Sequence, residues 1–191
     1  MECAPGYQFG LFGSFFFAAV VLASVIFAPL ADKVGRKPIA ICGALTHLLP
    51  SIVLLVNAER SIGYVLLFVI GLAMPMRVFV GYIYCMEFLP HKSTALATAL
   101  ILGIDGLVLM WTSLYFWLLD NSWSRFFSIS VGATIVALAL TISLPESPKF
   151  LVTKGKFDEA RKVISKIARR NGLTKFVFSA ENEEACELLH S

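Results

Sequence analysis

Charged residues are so unevenly placed along this chain that they leave five long apolar stretches, 9–31, 38–56, 62–86, 94–119 and 126–144. Inside them only Arg77 and Asp105 carry charge. Each stretch is near the roughly 20 residues that a helix needs to cross hydrocarbon, and the first would reach about 34 Å at about 1.5 Å per residue. Backbone amides in lipid must find partners within their own segment, so runs of this length are read as helices and not as strands. With 58% hydrophobic and 15% charged residues, the chain has more apolar surface than a soluble domain could hide. The expected fold class is therefore an all-α membrane protein with five transmembrane helices.

Lysines and arginines give the expected orientation. Lys33, Arg36, Lys37 and Lys92 follow the first and third stretches, and the basic residues from Lys149 to Lys175 follow the fifth, whereas the other side holds Arg60 and Arg125. Positive loops are retained in the cytosol, which puts the N-terminus and the hairpins 57–61 and 120–124 outside and the C-terminal tail inside. Trp111, Trp117 and Trp123 suit an aromatic belt toward the outer side. Glu2 replaces the basic start of a signal peptide, so no cleavable leader is expected. Cys3, Cys42, Cys85 and Cys186 form no CxxC pair or metal spacing, and are read as small packing residues. Small residues pair at helix-packing spacing in Gly10 with Ser14, Ala99 with Gly103, and Ala133 with Ala137.

The net charge of +3 is spread over short loops and a tail without interleaved aromatics, which argues against a nucleic-acid partner. An enzyme is not expected, because there is no nucleophile–base pair, phosphate loop or metal cluster, and no cofactor or metal is implied.

Three motifs carry meaning. After the first stretch the chain reads Ala28-Pro-Leu-Ala-Asp32-Lys33-Val-Gly35-Arg36-Lys37. Gly35 supplies the backbone freedom that a tight turn requires, Arg36 and Lys37 hold the loop inside, and Asp32 can accept bonds from a helix N-terminus or a cation. At the inner end of the third stretch stands Gly81-Tyr82-Ile-Tyr84-Cys85-Met-Glu87-Phe88-Leu-Pro90. After the fifth comes Pro145-Glu146-Ser-Pro148-Lys149-Phe-Leu151, whose prolines break the helix as it leaves the membrane. An amphipathic segment follows, with Phe157, Ala160, Ile164 and Ile167 on one stripe, Asp158 facing Lys162, and Asn171-Gly172 as its end.

The first motif resembles the major facilitator superfamily loop G-x-L-A-D-[RK]-x-G-R-[RK], with Ala28 where the first Gly is usual. The other two resemble the organic cation/anion transporters, and sugar porters share related loop motifs. In the wider family a basic residue follows Glu87 by about seven positions, where this chain has Thr94. The resemblance covers roughly 8–172 and aligns the five stretches with the second to sixth helices of a twelve-helix transporter. It implies a partial N-terminal bundle over 1–144, a cytosolic segment with an amphipathic helix over 145–172, and a cytosolic tail over 173–191. It also implies a truncated product, an incomplete gene model, or a half that needs the missing C-terminal half or another chain. The implied function is transport of a small organic ion by alternating access, without a cofactor, across what is expected to be the plasma membrane. The alternatives are a sugar or polyol porter, and a fragment that acts only as an assembly or interaction partner.

Within that reading Asp32, Gly35, Arg36, Lys37, Glu87, Glu146 and Lys149 form the expected cytoplasmic latch. Arg77 and Asp105 are candidates on a different ground, since ionisable groups inside spans are costly unless they work. Each sits about 15 Å from the cytoplasmic edge, which predicts that they pair or face one cavity; the alternative is that each snorkels or packs alone. His47 reads as a hydrogen-bonded packing residue. Tyr84, Trp111 and Tyr115 either stack on an organic cation or pack the bundle.

Overall fold

The computed structural model describes residues 6–56, 60–118 and 122–170. The tips of the two expected outer hairpins, Asn171 and Gly172, Cys3 and Cys186, and the tail 173–191 lie outside the described residues. The described residues are helical, without strands.

The chain divides into two compact units, Met1–Leu144 and Pro145–Ser191. The first holds α1 (Gly6–Val34), α2 (Arg36–Val56), α3 (Arg60–Met86), α4 (His91–Leu118) and α5 (Trp123–Ser143). All five are long and apolar enough to cross a membrane. The helices run past several of the apolar limits, α1 to Val34 and α2 from Arg36, because a polar residue at the interface can stay helical after hydropathy has faded.

In lipid, helices associate by close backbone approach more than by a hydrophobic drive, so the glycines show where the bundle is tight. A Cβ on Gly43 of α2 would lie 2.5 Å from Met76 Cβ and 2.9 Å from the Arg77 backbone nitrogen on α3. One on Gly71 of α3 would lie 2.6 Å from the Phe16 carbonyl oxygen and 2.9 Å from Ala19 Cβ on α1. Ala19, Ala23 and Ala73, all fully buried, continue the α1–α3 contact. At the end where α1 turns into α2, Ala31, Ile39, Met76 and Val80 form a buried cluster flanked by Phe27 and Leu30. Toward the opposite end, Phe12 stacks on Tyr64 with ring centroids 4.1 Å apart.

The small pairs expected to pack do not form these contacts. Gly10 and Gly103 face open space, Ala99 is exposed, and Ala133 and Ala137 line a cavity. Spacing along one helix finds small residues but not which side of the helix its neighbour occupies. Cys42 and Cys85 are likewise free and exposed rather than packed in the core.

In the second unit, the Ser147 side chain caps α6 (Pro148–Thr153), accepting from the Phe150 N–H at 3.2 Å, and Pro148 takes a first-turn position where its missing N–H costs nothing. α6 ends on Gly155 at φ 71°, with the Gly155 N–H donating to Val152 O and the Lys156 N–H to Leu151 O, a paired C-terminal cap that satisfies two carbonyls. α7 (Phe157–Arg170) buries Ala160 and Ala168, half-buries Ile164 and Ile167, and leaves Phe157 exposed. Its expected Asp158–Lys162 pair is not formed; Lys156 reaches Glu159 at 3.2 Å instead.

Candidate functional site

Two places in the first unit bring charge into the bundle. The first is the junction of α1, α2 and α3. Gly35 alone separates α1 from α2 and takes φ 121°, a conformation that L side chains rarely adopt, while its N–H donates to Ala31 O at 3.0 Å. That sharp reversal sets Arg36 on the first turn of α2, against the end of α3. Arg36 Nη2 lies 3.1 Å from Asp32 Oδ1, and Arg36 Nε lies 3.1 Å from Glu87 Oε1.

These two contacts differ in weight. The Asp32 side chain is 71% exposed and the Glu87 side chain 8%. Water screens the first pair, whereas removing one partner of the second leaves a charge in a place poorly supplied with water. The Arg36 Nε–Glu87 contact is an ion pair by distance without an aligned hydrogen bond, and Glu87 Oε2 is buried without a hydrogen-bond partner among the described residues. Thr94, at the position where a basic residue is usual, donates to Pro90 O at 3.3 Å. Lys37 Nζ turns the other way, to Ile142 O at 2.9 Å and to Leu144 O at the end of α5.

In the second unit, Glu146 Oε1 accepts from the Ser147 N–H at 3.0 Å and Lys149 is exposed, its carbonyl accepting from Thr153 Oγ1 at 2.8 Å.

The second place is a cavity of about 430 Å³ between α2, α3 and α5, whose lining includes Arg77, Tyr84, Ser130, Thr134 and Thr141. Arg77 Nη1 lies 3.5 Å from His47 Nδ1 and donates to Thr134 Oγ1 at 3.4 Å. Thr134 Oγ1 is held in turn by donating to Ser130 O at 2.9 Å, and the His47 carbonyl accepts from Ser51 Oγ at 2.6 Å.

The structure does not bring Arg77 and Asp105 together. Asp105 is exposed on α4, while Arg77 turns to α2 and α5. Equal depth in the membrane fixes how far along its helix a residue lies, not the direction in which it points. The aromatics also separate. Tyr84 is buried, lines the cavity and meets Phe88 edge-on at 5.1 Å. Trp111 is 65% exposed on α4, and Tyr115 packs against Phe126, so neither joins Tyr84 in one cage. Sequence reading missed Thr134, whose position 57 residues from Arg77 gives no local signal, and it gave His47 a packing role without its contact to Arg77.

A profile of the Sugar (and other) transporter family matches residues 2–183. The chain belongs to that family. It is thus an integral membrane protein of the major facilitator superfamily, and its relatives include members of the organic cation/anion group that the motifs resemble. It is 26% identical over 169 residues to solute carrier family 22 member 15-like of Xenopus laevis, covering 88% of this chain and 34% of that protein. Solute carrier family 22 member 21 of Mus musculus is 25% identical over 176 residues, covering 91% of this chain and 31% of the relative. The mouse solute carrier family 2, facilitated glucose transporter member 12, is 28% identical over 149 residues, with 76% of this chain and 24% of that protein covered. The chain spans about a third or less of the length of these curated relatives.

Proposed function

We propose that the chain is part of a longer, non-enzymatic carrier that moves a small organic ion across the plasma membrane by alternating access, with the Gly35 end in the cytosol and the N-terminus outside. The Arg36 junction is the observation that carries this reading. It places a largely buried ion pair at one end of the bundle, where the α1–α2 turn meets the end of α3. Such a junction can close and open while the small-residue packing of α1, α2 and α3 stays intact, which is what a latch between two states requires. Asp32, Gly35, Arg36, Lys37 and Glu87 form it in the first unit, and Glu146 and Lys149 belong to the second. The rest of the carrier, from the same or another chain, supplies the other half.

Uptake of labelled tetraethylammonium, benzoate and glucose into proteoliposomes or cells that hold this chain together with the rest of its carrier is the test. Saturable uptake of either ion, lost in Arg36→Ala, supports the reading. If the chain inserts and, even with the rest of its carrier present, none of the three is moved, the chain acts instead as an assembly partner. A tag on Ser191 that is reached by antibody on intact cells would overturn the orientation.

A second reading, transport of a sugar or polyol, is favoured by the relatives named for glucose transport and monosaccharide sensing. Glucose uptake without uptake of either ion would establish it.

A further inference from the structure

We infer that Arg77, held by Thr134 and His47, forms an oxyanion subsite, and that its ligand is a small organic anion with a carboxylate on an apolar body. This deepens the transport reading above and rests on it.

The argument begins with charge. A guanidinium within a membrane span needs a counter-ion or water, because it cannot shed its proton to escape the cost of lipid. Within the five apolar stretches the one carboxylate is Asp105, which is exposed on α4 and makes no ion pair with Arg77. Among the described residues no acidic side chain stands within ion-pair distance of Arg77. Its two contacts, at 3.4 and 3.5 Å, both fall on Nη1 and both involve neutral groups. The second amino group and Nε are left for a ligand, and this is the edge of the fork that holds a carboxylate through two parallel bonds.

The surroundings then define the rest of the ligand. Arg77 opens on a cavity of about 430 Å³, within the range of about 300 to 1,000 Å³ common to small-molecule sites. Ser130 and Thr134 give it hydroxyls on one wall, while Ala133, Ala137 and Leu138 make an apolar wall from the same helix. A carboxylate would meet the polar part and a ring or short chain the apolar part. No acidic side chain lines this space, so an organic cation would meet the Arg77 charge with no carboxylate to offset it.

The test uses the whole chain in lipid nanodiscs, with benzoate as probe and benzamide, tetraethylammonium and glucose as controls. Benzoate is expected to bind saturably, and benzamide at least about tenfold more weakly, since it lacks the charge that the fork pairs with. Arg77→Gln is expected to weaken benzoate about tenfold or more, and Arg77→Lys to keep part of the affinity, having charge but no fork. A measurement without any variant accompanies these: phenylglyoxal modification of Arg77, followed by mass spectrometry, is expected to slow severalfold when benzoate is present.

Equal binding of benzoate and benzamide, unchanged affinity in Arg77→Gln, or modification of Arg77 at the same rate with and without benzoate would each overturn the assignment. If tetraethylammonium or glucose binds and benzoate does not, the anion site falls while the transport reading stands. If the nanodisc chain binds benzoate at Arg77 but the complete carrier that contains this chain takes up none of the probes, the site is supported and the transport reading falls.

Discussion

The α1–α2–α3 trio and α4 are built from similar residues and behave differently. α1, α2 and α3 bury 11%, 39% and 33% of their most apolar stretches, and α4 buries none. The difference lies in where small residues face. In the trio, Gly43 and Gly71 stand where a neighbouring backbone passes, while a Cβ on either glycine of α4, Gly103 or Gly106, would meet nothing within 4 Å. α4 meets its neighbours through a Tyr82–Thr98 hydrogen bond of 2.8 Å and through Tyr115 and Phe116 against Phe126. Apolar character takes a helix into the membrane, and it does not by itself bind that helix to another.

The contrast can be broken by substitution, with stability read from thermal or steric-trap unfolding of the chain in a mild detergent or bilayer. Arg36→Leu, which leaves Glu87 without its buried counter-charge, is expected to cost the most, about 3 kcal/mol. Gly43→Ala should follow at roughly 2 kcal/mol, since the Arg77 backbone nitrogen cannot yield to a new methyl group. Gly35→Ala is expected to cost about 1 to 2 kcal/mol through backbone strain at φ 121°, with no change in helix content by circular dichroism. Tyr82→Phe tests the α4 contact and should cost about 0.6 kcal/mol, near the mean for hydrogen bonds between membrane helices. Leu109→Ala, on the exposed face of α4, is expected to fall within about 0.5 kcal/mol of the parent. If Leu109→Ala matched Gly43→Ala, the distinction between the two regions would be lost.

The sequence made some features legible and hid others for physical reasons. Five spans could be read because each records its own hydropathy along its own length. Arg36 could be placed against Glu87 because the loop motif and the end of α3 mark the same edge of the bundle. Arg77 and Asp105 could not be paired, since a helix's rotation about its axis is set by neighbours distant in sequence, and here that rotation turns one charge to α2 and α5 and exposes the other. Gly43 and Gly71 escaped for the same reason: a single glycine gives no period, and its partner is a backbone on another helix. The six-residue α6 was hidden in a proline-rich motif that read as a break, though Ser147 before Pro148 is a start signal in its own right.

Lys37 ties together parts of the chain that lie more than a hundred residues apart. Its ammonium sits on the carbonyls of Ile142 and Leu144, where α5 runs out of internal donors. The last turn of the fifth span is thereby kept from fraying by a cation borrowed from the second. A reagent that neutralised this one amine would loosen the chain's exit from the membrane first, and amide exchange at the carboxyl end of α5 would register it before any change reached the interior.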